Sequence, residues 1–157
     1  MRKNIKQIIN SLIKKKINLS VVESCTGGML SRLITSVSGS SKVFRSGFIT
    51  YSNQAKNKVL KVSNKIIKNN GAVSVQCCLS MVNNLSKITK SKLCISITGI
   101  AGPHGGTKHK PVGLVFIGLK YGKKIIVSKC KFKNKGRHFI RKKAVEKSLS
   151  LISQMIK

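Results

Sequence analysis

Aspartate is absent from this 157-residue chain, and only two acidic residues, Glu23 and Glu146, stand against 32 Lys and Arg. A Ser-His-Asp triad is therefore excluded. Tryptophan is also missing and aromatics make up only 4% of the residues, so the core has to be built from Ile, Leu and Val. No apolar run approaches the ~20 residues needed to cross a bilayer, and no membrane partner is expected. Cysteines are few and odd in number: Cys25, Cys77, Cys78, Cys94 and Cys130. None has Cys-x-x-Cys spacing or a metal-ligand spacing with His, which argues against a disulfide framework and against a metal site. The first sixteen residues lack the apolar core and small-residue cleavage site of a signal peptide. Reduced thiols in a cytoplasmic protein are the expectation.

What is present is positive charge, a formal +30 at pH 7. Such a balance raises the question of a nucleic-acid partner. The basic residues run through the whole chain, however, and Lys, Asn and Ile, whose codons are A/T-rich, are all abundant. Compositional drift accounts for that distribution better than a nucleic-acid face, which would cluster its cations and interleave stacking aromatics. At 157 residues the chain fits one domain, 1–157, able to bury roughly 70% of its unfolded surface without disulfide or metal.

The hydrophobic periodicity predicts an order of elements. Ile5, Ile8, Ile9, Leu12 and Ile13 make a helical stripe over residues 2–16. A short apolar run at 19–22 reads as a buried strand, and 29–37 as a helix with Met29, Leu30, Leu33 and Val37 on one side. A strand over 43–51 precedes a short helix over 52–60. Residues 74–90 read as a helix with Ser74 as N-cap and Leu79, Val82, Leu85 and Ile88 inward. Strands follow at 93–97, 112–119 and 125–132, the last two joined by a turn at Tyr121-Gly122, and a helix over 138–156 closes the series. This order predicts an α/β fold, a three-layer α/β/α sandwich with a mixed sheet.

Ser24 falls where the first strand gives way to a helix. Unpaired amides at such a turn could hold an oxyanion, with the N–H groups near Cys25 and Thr26 as candidates, while Gly27 and Gly28 leave the backbone open to a substrate. Simple helix capping explains the same serine from spacing alone. Cys25 is a rival nucleophile, since a thiol at a helix N-terminus can have a lowered pKa. A base is harder to find. His104, His109 and His138 lie in loop or helix-start positions, so a desolvated lysine is the alternative. Composition does not choose among the lysines.

Three motifs carry a resemblance. They are ESCTGG at 23–28, GSSKVFRSGFITYSNQAK at 39–56 and ITGIAGPHGGTKHKPVG at 97–113, with GAVS at 71–74 between them. In this order they resemble the CinA carboxy-terminal domain family, the nicotinamide-nucleotide amidases. The resemblance implies hydrolysis of nicotinamide mononucleotide to nicotinic acid mononucleotide and ammonia. It implies Ser24 as nucleophile, Lys56 as its base and Tyr51 as an assisting group. It also implies a ligand-binding loop over 99–113, with Gly99, Gly102, Gly105 and Gly106 beside Thr26 and Gly27, and an Arg at the start of the last helix for the phosphate. Arg137 fits that place, with Arg141 one turn along. The chain departs from the family pattern in reading Asn134-Lys135-Gly136-Arg137 where relatives often show Gly-Asp-Arg, and in carrying His104 where many carry Asp. The implied partner is a small-molecule nucleotide substrate, with no metal or cofactor. Family members are often dimers, so a homodimer is the assembly to test. The competing readings are a basic nucleic-acid-binding protein and a folded but weakly active family member.

Overall fold

The computed structural model describes residues 2–157. The chain runs α1 (Arg2–Lys14), β1 (Leu19–Glu23), α2 (Met29–Thr35), a 3-10 turn (Ser40–Lys42), β2 (Phe44–Ile49), α3 (Asn53–Leu60), α4 (Asn64–Asn70), α5 (Val75–Thr89), β3 (Leu93–Gly99), β4 (Leu114–Tyr121), β5 (Lys124–Lys131) and α6 (Arg137–Met155). The strands form one sheet in the order β2-β1-β3-β4-β5. β1 is parallel to both β2 and β3, whereas β4 is antiparallel to β3 and β5. The sheet is mixed, as the sequence predicts.

Alternation along the strands assigns the helices to two faces. Leu19 and Val21 of β1, Leu93, Ile95 and Ile97 of β3, and Val115, Ile117 and Leu119 of β4 point to one side and pack against α1, α2 and α6. Val22 and Cys94 point to the other side, against Leu60 and α5. Cys78 of α5 closes over Leu114 and Phe116. Strands buried on both faces read as near-continuous apolar runs, and β1 is buried at all five positions. Each fully buried Leu or Ile contributes roughly 1.5–3 kcal/mol through removal of apolar surface from water. No helix among the described residues is long and apolar enough to cross a membrane.

α5 does not bury every third residue. Its inward face is Cys77, Cys78, Met81, Val82 and Leu85, while Leu79 and Ile88 are exposed. Strict spacing by three drifts around a helix of 3.6 residues per turn, so its ends leave the core face. α2 ends at Thr35, two residues before the expected end; its buried residues are Leu30 and Ile34, while Leu33, and Val37 beyond the helix, are only partly covered. The helix α4 carries no fully buried residue, and so offers too faint a stripe to be predicted. The β4–β5 turn is Gly122-Lys123, one residue later than expected.

β1, β2 and β3 are parallel, so their carboxyl ends share one edge of the sheet. Ser24 follows β1, Thr50 and Tyr51 follow β2, and the glycine-rich segment follows β3. Open α/β sheets characteristically place ligands beyond this edge.

Candidate active site

Two backbone bonds continue the sheet past its last ladder residues. Thr50 N–H donates to the Glu23 carbonyl (2.9 Å) and Ser24 N–H to the Ile97 carbonyl (2.9 Å). Ser24 is thereby held between the ends of β2 and β3. Ser52 caps α3 by accepting a hydrogen bond from Ala55 N–H. One turn into α3, Lys56 sends its side chain back into the protein, where it is 2% exposed. Its Nζ donates to the Thr50 carbonyl (2.9 Å) and to Ser24 Oγ (3.0 Å). Burial disfavours the ammonium and lowers the Lys56 pKa below its ordinary value, opposed in part by Cys77 and Cys25. A neutral amine at that distance can equally accept the Ser24 hydroxyl proton.

The turn after Ser24 supplies unclaimed donors. The backbone amides of Cys25 and Thr26 donate to no other residue among those described. The first amides of α2, by contrast, are not free. Leu30 N–H (3.1 Å), Ser31 N–H (2.8 Å) and Ser31 Oγ–H (2.7 Å) all donate to the Glu23 carboxylate. Glu23, fully buried, thus caps α2 from the strand side. Local pattern does not announce this role; its one signal in the sequence is that one of only two acids in a +30 chain immediately precedes the candidate serine. Thr26 is fully buried as well, and its Oγ1 makes no hydrogen bond.

The two arginines at the start of α6 reach the same edge. Arg137 Nη1 donates to the Gly102 carbonyl (2.9 Å), and its Nη2 donates to the hydroxyl of Tyr51. Tyr51 is 56% exposed and is joined to Arg137, not to Lys56. Arg141 Nε and Nη2 both donate to the Thr26 carbonyl, at 3.2 and 2.6 Å.

Gly99, Gly102 and Gly106 serve packing. A Cβ at Gly99 would lie 2.8 Å from the Leu114 carbonyl oxygen, and one at Gly106 would lie 2.8 Å from Val112 N. Gly102 has φ +75° and a Cβ there would meet Val112 Cγ1 at 2.6 Å. These contacts let the loop fold onto its own Val112 and onto β4. Gly105 stands in open surroundings with φ +87°. The loop therefore brings the Gly102 carbonyl to Arg137, while Gly105 and Gly106 are exposed.

The rival nucleophile is disfavoured by its surroundings. Burial pushes the Cys25 thiol up to about 12, so the lowering expected from a helix N-terminus is outweighed. His104, His109 and His138 are all exposed. No cluster of three or more His, Cys, Asp or Glu side chains among the described residues could hold a metal.

Comparison with known proteins agrees with the shared architecture. The chain is 42% identical over 149 residues to a protein of Thermoanaerobacter pseudethanolicus that bears the name competence-damage inducible protein, covering 95% of this chain and 36% of that one. It is 47% identical over 116 residues to a CinA-like protein of Thermotoga maritima, covering 73% and 28%. The chain thus spans about a third of the length of these relatives. Among solved structures, a competence/damage inducible protein from Agrobacterium tumefaciens superposes with a TM-score of 0.92 at 32% identity, over 98% of this chain and 96% of that one. A CinA superfamily protein from Escherichia coli superposes with a TM-score of 0.92 at 27% identity, over 97% and 88%. The family model described as the CinA C-terminal domain matches residues 1–156, and the chain belongs to that family.

Proposed function

We propose that this protein is an amidohydrolase that converts nicotinamide mononucleotide to nicotinic acid mononucleotide and ammonia by way of a Ser24 acyl-enzyme. The observation that carries the reading is the buried Lys56 amine lying 3.0 Å from Ser24 Oγ. A lysine whose pKa is lowered by burial is a competent base for a serine hydroxyl. In the first step Ser24 Oγ attacks the carboxamide carbon while its proton passes to Lys56 Nζ. The developing oxyanion is met by the amides of Cys25 and Thr26. Collapse of the tetrahedral intermediate breaks the C–N bond, and Lys56 returns the proton to the departing ammonia. Water then attacks the acyl-enzyme with Lys56 again as base, releasing the carboxylate and restoring Ser24.

Arg137 suits the phosphate of such a substrate, being exposed and fixed beside Tyr51 and the Gly102 carbonyl. Tyr51 then orients Arg137. The net positive surface favours encounter with an anionic nucleotide. Five unpaired thiols suit a reducing, cytoplasmic setting.

The test is to follow ammonia release from nicotinamide mononucleotide with the purified protein and its Ser24→Ala variant. Release by the wild type alone supports the reading. No release by the wild type, or equal release by both proteins, overturns it.

A further inference from the structure

We propose that Arg141 is a positioning residue that acts through the Thr26 carbonyl, and that Arg141 and Glu23 together clamp the Ser24 turn from two sides. The inference deepens the amidohydrolase reading and rests on it. It assigns to Arg141 a role away from the substrate phosphate, which the resemblance made it a candidate to bind.

The geometry points this way for three reasons. First, two nitrogens of the Arg141 guanidinium converge on one carbonyl oxygen. That oxygen also accepts from Met29 N–H at 3.2 Å. Its lone pairs are fully used, and the peptide plane after Thr26 is fixed. Second, room for the guanidinium exists because residue 27 is glycine. A Cβ there would stand 3.1 Å from Arg141 Nη2. Third, Arg141 sits on rigid support. Ile140, Ala144 and Val145 of the same helix are buried in the core.

The opposite side of the turn is held by Glu23. Its carboxylate ties the residue before Ser24 to Leu30 and Ser31, the residues that open α2. The backbone between these anchors carries both the nucleophile and the unclaimed amides of Cys25 and Thr26. Neither anchor needs to touch a substrate. Each restrains where Ser24 Oγ and the amides lie relative to one another. Displacement of a reacting group by about 1 Å can cost on the order of 100-fold in rate.

The experiment uses the full chain with two variants. Arg141→Lys keeps the charge but loses the two-nitrogen grip. Ser31→Ala removes one half-buried donor to Glu23. Each is compared with wild type in turnover of nicotinamide mononucleotide and of nicotinamide riboside, which lacks the phosphate. Each is also compared in the rate at which Ser24 displaces fluoride from a fluorophosphonate probe, read by intact mass. The clamp predicts that Arg141→Lys lowers kcat by roughly 10- to 100-fold on both substrates with KM unchanged, and slows labelling by a similar factor. Ser31→Ala should give a smaller drop of the same pattern. A rise in KM confined to the nucleotide, with labelling at the wild-type rate, overturns the proposal and makes Arg141 a phosphate ligand. If the wild type labels but releases no ammonia, the amidohydrolase reading fails while labelling still decides the clamp. A wild type that neither labels nor turns over substrate overturns the clamp too, because there is then no active nucleophile to position; one that turns over without labelling leaves the kcat comparison to decide.

Discussion

Lys56 Nζ lies 3.0 Å from Ser24 Oγ, although the two residues are 32 apart in the chain. Groups that act as a unit are non-additive when removed. Ser24→Ala and Lys56→Ala should each lower ammonia release by roughly 10⁴-fold or more, and the double variant should lose little beyond either single one. A double-variant loss equal to the product of the single losses would show two groups acting independently. Steady-state rates on nicotinamide mononucleotide measure this directly.

The pH dependence follows from which form of Lys56 is needed. A base must be deprotonated, so kcat/KM should rise with pH along an acid limb set by Lys56 in the free enzyme. Burial lowers that pKa, so the midpoint should fall below the range of a solvated lysine. The Cys25 thiol, held at about 12 by burial, cannot supply such a limb. A profile measured with nicotinamide mononucleotide across neutral and alkaline pH tests it. A limb that persists unchanged in residual Lys56→Ala activity would assign it to another group.

Folding carries the complementary signature. The folded-state pKa of Lys56 is depressed, so between that value and the unfolded value the unfolded chain binds more protons. Stability contributed by this group therefore rises with pH through that window, by at most about 1.4 kcal/mol per pH unit. Lys56→Met lacks the effect. The stability of wild type minus that of Lys56→Met, from urea unfolding, should thus increase from neutral to alkaline pH. A difference that stays flat or decreases would mean that the amine is not desolvated in solution.

The sequence exposes those parts of this arrangement that depend on local pattern. The stripe of Ile5, Ile8, Ile9 and Leu12 and the all-buried run of β1 announce their elements because burial and periodicity coincide. Ser74 announces the start of α5 because capping is local, and its hydroxyl accepts from Cys77 N–H. What periodicity does not reveal are contacts made across the fold. Nothing about Lys56 distinguishes it from the other lysines until α3 turns its side chain under the end of β2, so only the motif resemblance singles it out. Tyr51 joins Arg137 across 86 positions and Arg141 reaches Thr26 across 115. Glu23 caps a helix that begins six residues later, farther than an N-cap serine or aspartate reaches, so the local capping rules pass over it.

Cys25 tests the choice of nucleophile from the other side. The thiol is 6% exposed and is kept protonated by burial. Cys25→Ala should retain most of the turnover while losing about 1 kcal/mol of stability from the vacated volume. Iodoacetamide should modify Cys25 slowly in the folded protein. Loss of ammonia release in Cys25→Ala, with Ser24→Ala active, would transfer the nucleophile to sulfur.

The layer beneath α5 is packed without spare room. Gly118 of β4 is paired with Ser96 of β3, and a Cβ at Gly118 would stand 2.5 Å from Ser96 Oγ and 3.2 Å from Cys78 Sγ. Ser96 Oγ–H donates to the Cys78 carbonyl at 2.9 Å and is fully buried. A methyl group at Gly118 therefore has to displace a hydroxyl that cannot leave the interior. Gly118→Ala should destabilise the protein by about 1–3 kcal/mol through overpacking. Removing the obstructing oxygen should relieve it, since residues in contact couple. Gly118→Ala combined with Ser96→Ala should accordingly be more stable to urea than the sum of the two single losses requires. Strict additivity would show that the close approach of these two positions is not what limits the packing there.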